Sequence, residues 1–224
     1  MRGRIGGVLK EQYDGNIAFG KLEPSISFAN KKGVYLSQKG EKNIEVKIVN
    51  VQKVKIIVSK IYENNLLIAQ RYGYEPHESS VENGEYEIEN NSDATVGDVI
   101  YQQEIDTRSL PKYGNSRVYN FKIEDKLPEI KGIYHIAIRS MQDYWVRDSR
   151  FISLSDIGLI AKQGKEKIIV FANSIQTANA IDGVNVIAYG ANNQVLGTGS
   201  TNADGVAEIA YTRKEFAGFS PAMI

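Results

Sequence analysis

The chain has 224 residues, 42% of them hydrophobic and 24% charged, and its 27 Lys and Arg balance its 27 Asp and Glu. That zero net charge argues against an electrostatic nucleic-acid partner, and the absence of cysteine removes disulfides, thiolate metal sites and any cysteine nucleophile. The length accommodates two modest domains, and no apolar stretch approaches the roughly 20 residues that a membrane-spanning helix needs.

Residues 1–21 have scattered glycines and no sustained period, so they read as a tail or a crossing from a preceding module. Their positive start is followed by an apolar run that stops after Leu9, short of the roughly 7–15 residues of an export core. The pattern sharpens from Pro24. Residues 25–28 and 34–36 are short strand candidates around a Lys31-Lys32-Gly33 turn. Over 43–51, Ile44, Val46 and Ile48 share one face and Glu45, Lys47 and Val49 the other, as in a strand with one wet face. A second alternating run at 54–61 follows Gln52 and Lys53, so the two strands are expected as a hairpin or a sharply connected pair.

Between 71 and 97 the rhythm fails, and a run rich in Glu reads as a long acidic loop containing His77. The basic excess over 31–60 and this acidic excess read as two solvated surfaces. Strands resume at 99–105, 118–123 and 133–140. In the last of these Tyr134, Ile136 and Ile138 form the apolar face, while His135 and Arg139 fall on the polar one and Ser140 ends the run. Tyr144, Trp145 and Val146 lead to a strand at 150–154 that closes the first domain, with Trp145 and the tyrosines read as core and sheet-surface aromatics.

From Ser155 onward the strands are shorter and the turns denser. Apolar residues recur around Ile168 to Phe171 and Val184 to Tyr189, with Gly, Asn, Asp and Thr between the runs. Asn202, Asp204 and Gly205 form the clearest turn, since Asn and Asp can bond their own backbone and Gly accepts a positive φ. Gly197 and Gly199 lack the third glycine and the helix of a dinucleotide loop, so they read as positions where a strand twists or bulges. The boundary at 153–157 has no Pro/Gly/Ser linker, which predicts two sandwiches that abut. Residues 216–224 end as a new apolar run begins, so the second domain is expected to be incomplete, with an exposed sheet edge.

Ser-Asp-Ile-Gly-Leu at 155–159, Ile-Val-Phe-Ala-Asn-Ser at 169–174, Gly-Val-Asn-Val at 183–186 and Gly-Thr-Gly-Ser-Thr-Asn-Ala-Asp-Gly-Val-Ala at 197–207 resemble a macroglobulin-type domain of bacterial α2-macroglobulins. The Gly-Val-x-Val strand and Asn-x-Asp-Gly turn also occur in carboxypeptidase-regulatory-like modules; the Ser-Asp-Ile-Gly-Leu segment makes the choice. Gly33-Val34-Tyr35-Leu36, Ile48-Val49-Asn50-Val51 and 60–66 are similar to the opening strands of the preceding domain in that family, and the order of the two matches is the family's order.

The resemblance implies an all-β fold: two consecutive antiparallel β-sandwiches of immunoglobulin-like, fibronectin-III-like form, at 22–154 and 155–224. It implies a role as structural domains in a broad-range protease trap of the bacterial cell envelope, periplasmic or surface, with any anchor in an upstream segment. The partners implied are captured proteases and neighbouring domains of the same polypeptide, with no nucleic acid, cofactor or metal. Ser155, Asp156, Ile157, Gly158 and Leu159 are the expected docking and hinge residues. The competing reading is a sandwich binding module of a cell-surface adhesin or receptor-associated protein.

Residue chemistry adds little to an enzyme reading. There is no Gly-x-Ser-x-Gly elbow, His-Glu-x-x-His pair or phosphate loop, and His77 and His135 read as surface residues. Asp156, Asp182 and Asp204 lack the dense oxygen spacing of a calcium loop and read as turn residues.

Overall fold

The computed structural model describes residues 4–8, 11, 15, 20, 22–29, 35–36, 43–72, 81–82, 85–86, 96–123, 125–127, 131–210 and 220–224. His77, the Lys31-Lys32-Gly33 turn and most of the acidic loop lie outside these residues.

Two sheets make the first sandwich. One contains β1 (Ser25–Phe28), β3 (Asn43–Val49), β8 (Lys112–Tyr113) and β9 (Ser116–Lys122), in the order β1-β3-β9-β8. The other contains β2 (Tyr35–Leu36), β4 (Lys53–Ile61), β7 (Gly97–Asp106), β10 (Gly132–Ser140) and β11 (Arg147–Leu154), in the order β2-β11-β10-β4-β7. All these pairs are antiparallel except β2 with β11. Between the sheets Ile44, Val46 and Ile48 of β3 meet Val54, Ile56 and Val58 of β4 and Tyr134, Ile136 and Ile138 of β10 in one buried cluster. The alternation in the sequence is therefore the alternation of faces, and Glu45 and Lys47 stand on the wet side as period two requires. β5 (Val81–Glu82) and β6 (Glu85–Tyr86) form a separate two-residue pair.

β3 and β4 are sharply connected, as one of the two expectations had it, but do not form a hairpin. They belong to different sheets, and residues 50–52 carry the chain from one layer to the other. Asn50 takes φ +51° there, a left-handed value that Asn tolerates better than most residues. The turn is held by Thr107, whose hydroxyl donates to the Val51 carbonyl and whose N–H donates to that of Gln52 at 2.9 Å. Both strands alternate because each faces the same core from opposite sides, and alternation alone cannot separate that case from pairing.

The segment after β4 also differs from expectation. Where a strand-like opening over 60–66 was expected to lead into a loop, Glu63–Asn65 form a 3₁₀ turn and Leu66–Tyr72 the helix α1. Leu, Ala, Gln and Arg are good helix formers, but seven residues are too few to display a 3.6 period. Ala69 of α1 is buried against Ile61 and Val96, with Ile133 and Phe151 packed alongside, so the helix covers the outer face of the five-stranded sheet. Trp145 is not core: it is 66% exposed in the turn between β10 and β11, its ring edge-on to Tyr144.

In the second sandwich β12 (Ile157–Gln163), β13 (Lys167–Ser174) and β16 (Val206–Ala210) face β14 (Asn185–Gly190), β15 (Val195–Ser200) and β17 (Pro221–Met223), in orders β12-β13-β16 and β15-β14-β17. Its core is small: Ile168, Val170, Val186, Ala188, Ala207 and Ile209. Gly197 and Gly199 serve packing here. A Cβ at Gly197 would sit 2.6 Å from Cγ2 of Ile209 and 2.8 Å from the Ala210 carbonyl oxygen, so β15 lies against β16 only because the side chain is missing. The register does shift, between Ala188 and Tyr189 on the partner strand, where Leu196 is passed over.

Gly197→Ala should therefore destabilise the second sandwich by about 1–3 kcal/mol through overpacking. Native-state hydrogen exchange would show reduced protection at Ile168, Val170 and Ile209 with the amides of Ile56 and Ile136 unchanged; equal loss in both sandwiches would refute a local effect.

Candidate functional site at the junction of the two sandwiches

β11 ends at Leu154 and β12 begins at Ile157, so the covalent link between the sandwiches is Ser155 and Asp156. Asp156 makes three hydrogen bonds to the end of β13. One carboxylate oxygen accepts from the Ser174 hydroxyl at 2.8 Å, the other from the Gln176 N–H at 3.0 Å, and its carbonyl accepts from the Ile175 N–H at 2.7 Å. Ser155 Oγ accepts from the Ile157 N–H at 2.9 Å. The link thus starts β12 and closes the turn after β13 in one step. A short polar side chain reaches these donors, and an aliphatic residue at 156 would leave the Ser174 hydroxyl and the Gln176 amide without this acceptor.

The Asn202, Asp204 and Gly205 turn lies at the same end of β13. Asn202 Oδ1 accepts from the N–H groups of Asp204 and Val206, at 3.1 and 2.9 Å, and Gly205 takes φ +72°. A Cβ on Gly205 would meet the Ala172 carbonyl oxygen at 2.5 Å, while that strand's Ser174, two residues on, bonds Asp156. The junction and the turn therefore grip one strand end from two sides.

Ile157 and Leu159 pair in register with Ser174 and Ala172 and share their inward face, yet remain 40% and 43% exposed. They line a groove of about 700 Å³ between the sandwiches, walled across from them by Leu66 and Gln70 of α1 and by Phe151 of β11. Gly158 and Ile224 line it too. None of its lining side chains is titratable, so the groove is equipped for contact and not for proton transfer. Across the same junction Asn193 Nδ2 of the second sandwich donates to the Asn64 carbonyl at 2.7 Å. Sequence reading missed both of these junction elements: α1 is too short to show its period, and Asn193 has the ordinary setting of a turn residue.

His135 is corrected from a surface residue to a buried one, 2% exposed beneath Phe151, whose ring centroid is 4.7 Å away. It stands on the outer face of the sheet, opposite the buried Ser59 of β4. Burial lowers its pKa to about 4.

At the other end of the first sandwich a cleft of about 860 Å³ lies among Leu22, Pro24, Asn50, Arg108, Lys112 and Arg117. Its arginines are engaged within the fold. Arg117 Nη1 donates to the Leu110 carbonyl at 2.8 Å, and Arg108 hydrogen-bonds Asp106, whose carboxyl it holds down at about 2. Among the described residues no three His, Cys, Asp or Glu side chains converge as a metal site would require, and no helix is long and apolar enough to cross a membrane.

Two antiparallel sandwiches joined by a two-residue polar link define a pair of macroglobulin-type, immunoglobulin-like domains. Residues 154–224 match the family described as the bacterial alpha-2-macroglobulin MG3 domain. The chain is 25% identical over 199 residues to an alpha-2-macroglobulin of Xylella fastidiosa, covering 86% of this chain and 12% of that protein. Native alpha-2-macroglobulin from Escherichia coli, in a structure spanning domains MG0-NIE-MG1, superposes with a TM-score of 0.64 at 19% identity, over 95% of this chain and 65% of that one. The trypsin-activated Escherichia coli protein superposes with a TM-score of 0.60 at 20% identity, over 85% and 13%. Residues 154–224 thus match a bacterial alpha-2-macroglobulin domain, the chain as a whole is similar to proteins of that family, and both sandwiches share the fold of the macroglobulin structures.

Two outcomes are expected. Because His135 is neutral when buried, the unfolded chain takes up a proton that the folded chain refuses as pH falls below about 6.5, so stability declines by about 1.4 kcal/mol per pH unit until about pH 4 and then levels. Urea midpoints at pH 7 and 4.5 should fall less for His135→Leu than for the parent; parallel slopes would remove His135 as the source. Asp156→Ala should cost about 1–3 kcal/mol and speed amide exchange at Ile175 and Gln176 first; unchanged exchange there would show the clamp to be idle.

Proposed function

We propose that these domains are wall elements of a broad-range protease inhibitor in the bacterial cell envelope, which encloses the protease it captures. The observation that supports this reading is the junction: two sandwiches joined by a two-residue link that is hydrogen-bonded to the second of them, with a groove lined by no titratable side chain. Such a unit sets spacing. The family match supports the rest, together with the description of the Escherichia coli relative as trypsin-activated. The residues 1–224 span 12% of the Xylella relative, so capture itself is proposed for the longer protein. Covalent capture through a thioester needs a cysteine thiol, and this chain has none, so that chemistry would belong to other parts of the polypeptide. The cell envelope is where such a trap would meet proteases from outside.

The test uses the full-length parent incubated with a general protease such as trypsin, then assayed on a small peptide substrate and on a large protein substrate in parallel. Caging predicts that small-substrate turnover survives while large-substrate turnover drops at least about tenfold, since the protein substrate cannot reach an enclosed active site. Undiminished turnover of both would end the trap reading and favour a binding module of the cell surface.

A further inference from the structure

The turn from β14 to β15 runs through Gly190 to Gln194, with the Asn193 N–H donating to the Gly190 carbonyl at 2.9 Å and the Gly190 N–H to that of Gln194 at 2.8 Å. Asn193 takes φ +63°, where glycine would be less strained. The turn accepts Gly or Asn at this position. What the side chain does is reach out of its own domain: Nδ2 donates to the carbonyl of Asn64, 129 residues earlier, at 2.7 Å. That acceptor is firmly presented. Asn64 sits in the 3₁₀ turn that the Asn65 N–H closes onto the Tyr62 carbonyl at 2.9 Å, and the turn runs directly into α1, which Ala69 anchors to the sheet.

We propose that Asn193 is a positioning residue that latches the second sandwich to the first and fixes the width of the groove between them. The inference concerns the angle between the two domains and stands whatever the parent protein inhibits. Asp156 holds the covalent link and leaves rotation about it open, whereas the Asn193 to Asn64 bond is a second point of attachment on another side of the junction. Two attachment points define an angle; one does not. The latch is also weak by construction. Oδ1 of the same amide is buried without a hydrogen-bond partner, so the closed contact gains one hydrogen bond and retains one desolvated oxygen, contributions of the same order. On opening, that oxygen regains water. The two contributions therefore nearly offset each other, and the closed arrangement can release.

The chain lacks cysteine, so one can be placed in each sandwich without a competing thiol, at the exposed strand positions Asn120→Cys and Ser200→Cys. Spin-label distances between them should contain one narrow peak from the latched arrangement beside a broader one from the open arrangement. Asn193→Asp has the same size and tolerates the same φ, but it sets an oxygen and a charge against the Asn64 carbonyl. It should lower the ratio of latched to open molecules at least about tenfold, seen as loss of the narrow peak, with the thermal midpoints of the sandwiches unchanged. A distribution superimposable on that of the parent overturns the proposal. Should this variant not fold, the unaltered chain decides the matter by side-chain amide exchange. The Asn193 NH₂ should exchange several-fold more slowly than that of the exposed Asn192, and equal rates overturn the latch.

Discussion

The arrangement of this molecule depends on the burial of β4 and β10 on both faces. Inward, Val54, Ile56, Val58, Tyr134, Ile136 and Ile138 fill the space between the sheets. Outward, Ile57, Ser59, Ile61 and His135 are equally dry. A sheet of a simple sandwich leaves its outer face to solvent, and these residues could not stay there without exposing apolar area or a row of unfilled contacts. Something must cover them: α1 with Val96 and Phe151 packs on Ile61, and Phe151 also lies against His135. Gly97 allows the approach on that side, since a Cβ there would meet the Lys60 carbonyl oxygen at 2.5 Å.

The cover then shapes the junction. Because α1 follows β4 at the end where Ile61 pairs with Ile133, the helix and its leading 3₁₀ turn lie beside the point where β11 hands the chain to the second sandwich. Leu66 and Gln70 become one wall of the groove, and the Asn64 carbonyl comes within reach of Asn193. The outer-face residues of β4 thus determine, two steps on, what the second domain touches. The same covering layer removes His135 from water and ties the stability of the first sandwich to pH.

How much of this was legible follows from which signal each element leaves. The strands of the first sandwich show themselves because a half-buried strand imposes period two on its sequence, as Ile44, Val46 and Ile48 do against Glu45 and Lys47. The same rule left β3 and β4 as either a hairpin or a sharply connected pair, and only the sharp connection holds, because alternation reports a face and is silent on which strand lies alongside. His135 was misread because its neighbours in sequence resemble those of a wet face; the ring that lies over it belongs to Phe151, which period two cannot announce. Asp156 was singled out through family resemblance, but its role, accepting from Ser174 and Gln176, needed the fold to bring residues about twenty positions apart together. Gly197 was noticed as a glycine, while the reason for it, the Ile209 methyl 2.6 Å from where its Cβ would be, lies on another sheet.

The two sandwiches are held together differently from the way each is held within itself. Inside them, large aliphatic and aromatic residues or tightly apposed small ones exclude water. Between them, Ile157 and Leu159 remain about two-fifths exposed beside a groove, and the described polar features are the Asp156 clamp, which fixes the link to the second sandwich, and the Asn193 contact across the junction. Apolar burial scales with area and resists any separation, whereas hydrogen bonds act at points and can be exchanged for water at little net cost. A junction made this way resists pulling along the chain, because that would break the Asp156 clamp and the end of β13 with it. It yields far more readily to rotation, which breaks one contact and opens a groove that is already partly wet. On the proposed reading that is the useful combination for a wall element, since a wall has to keep its length while the domains beside it change their angles.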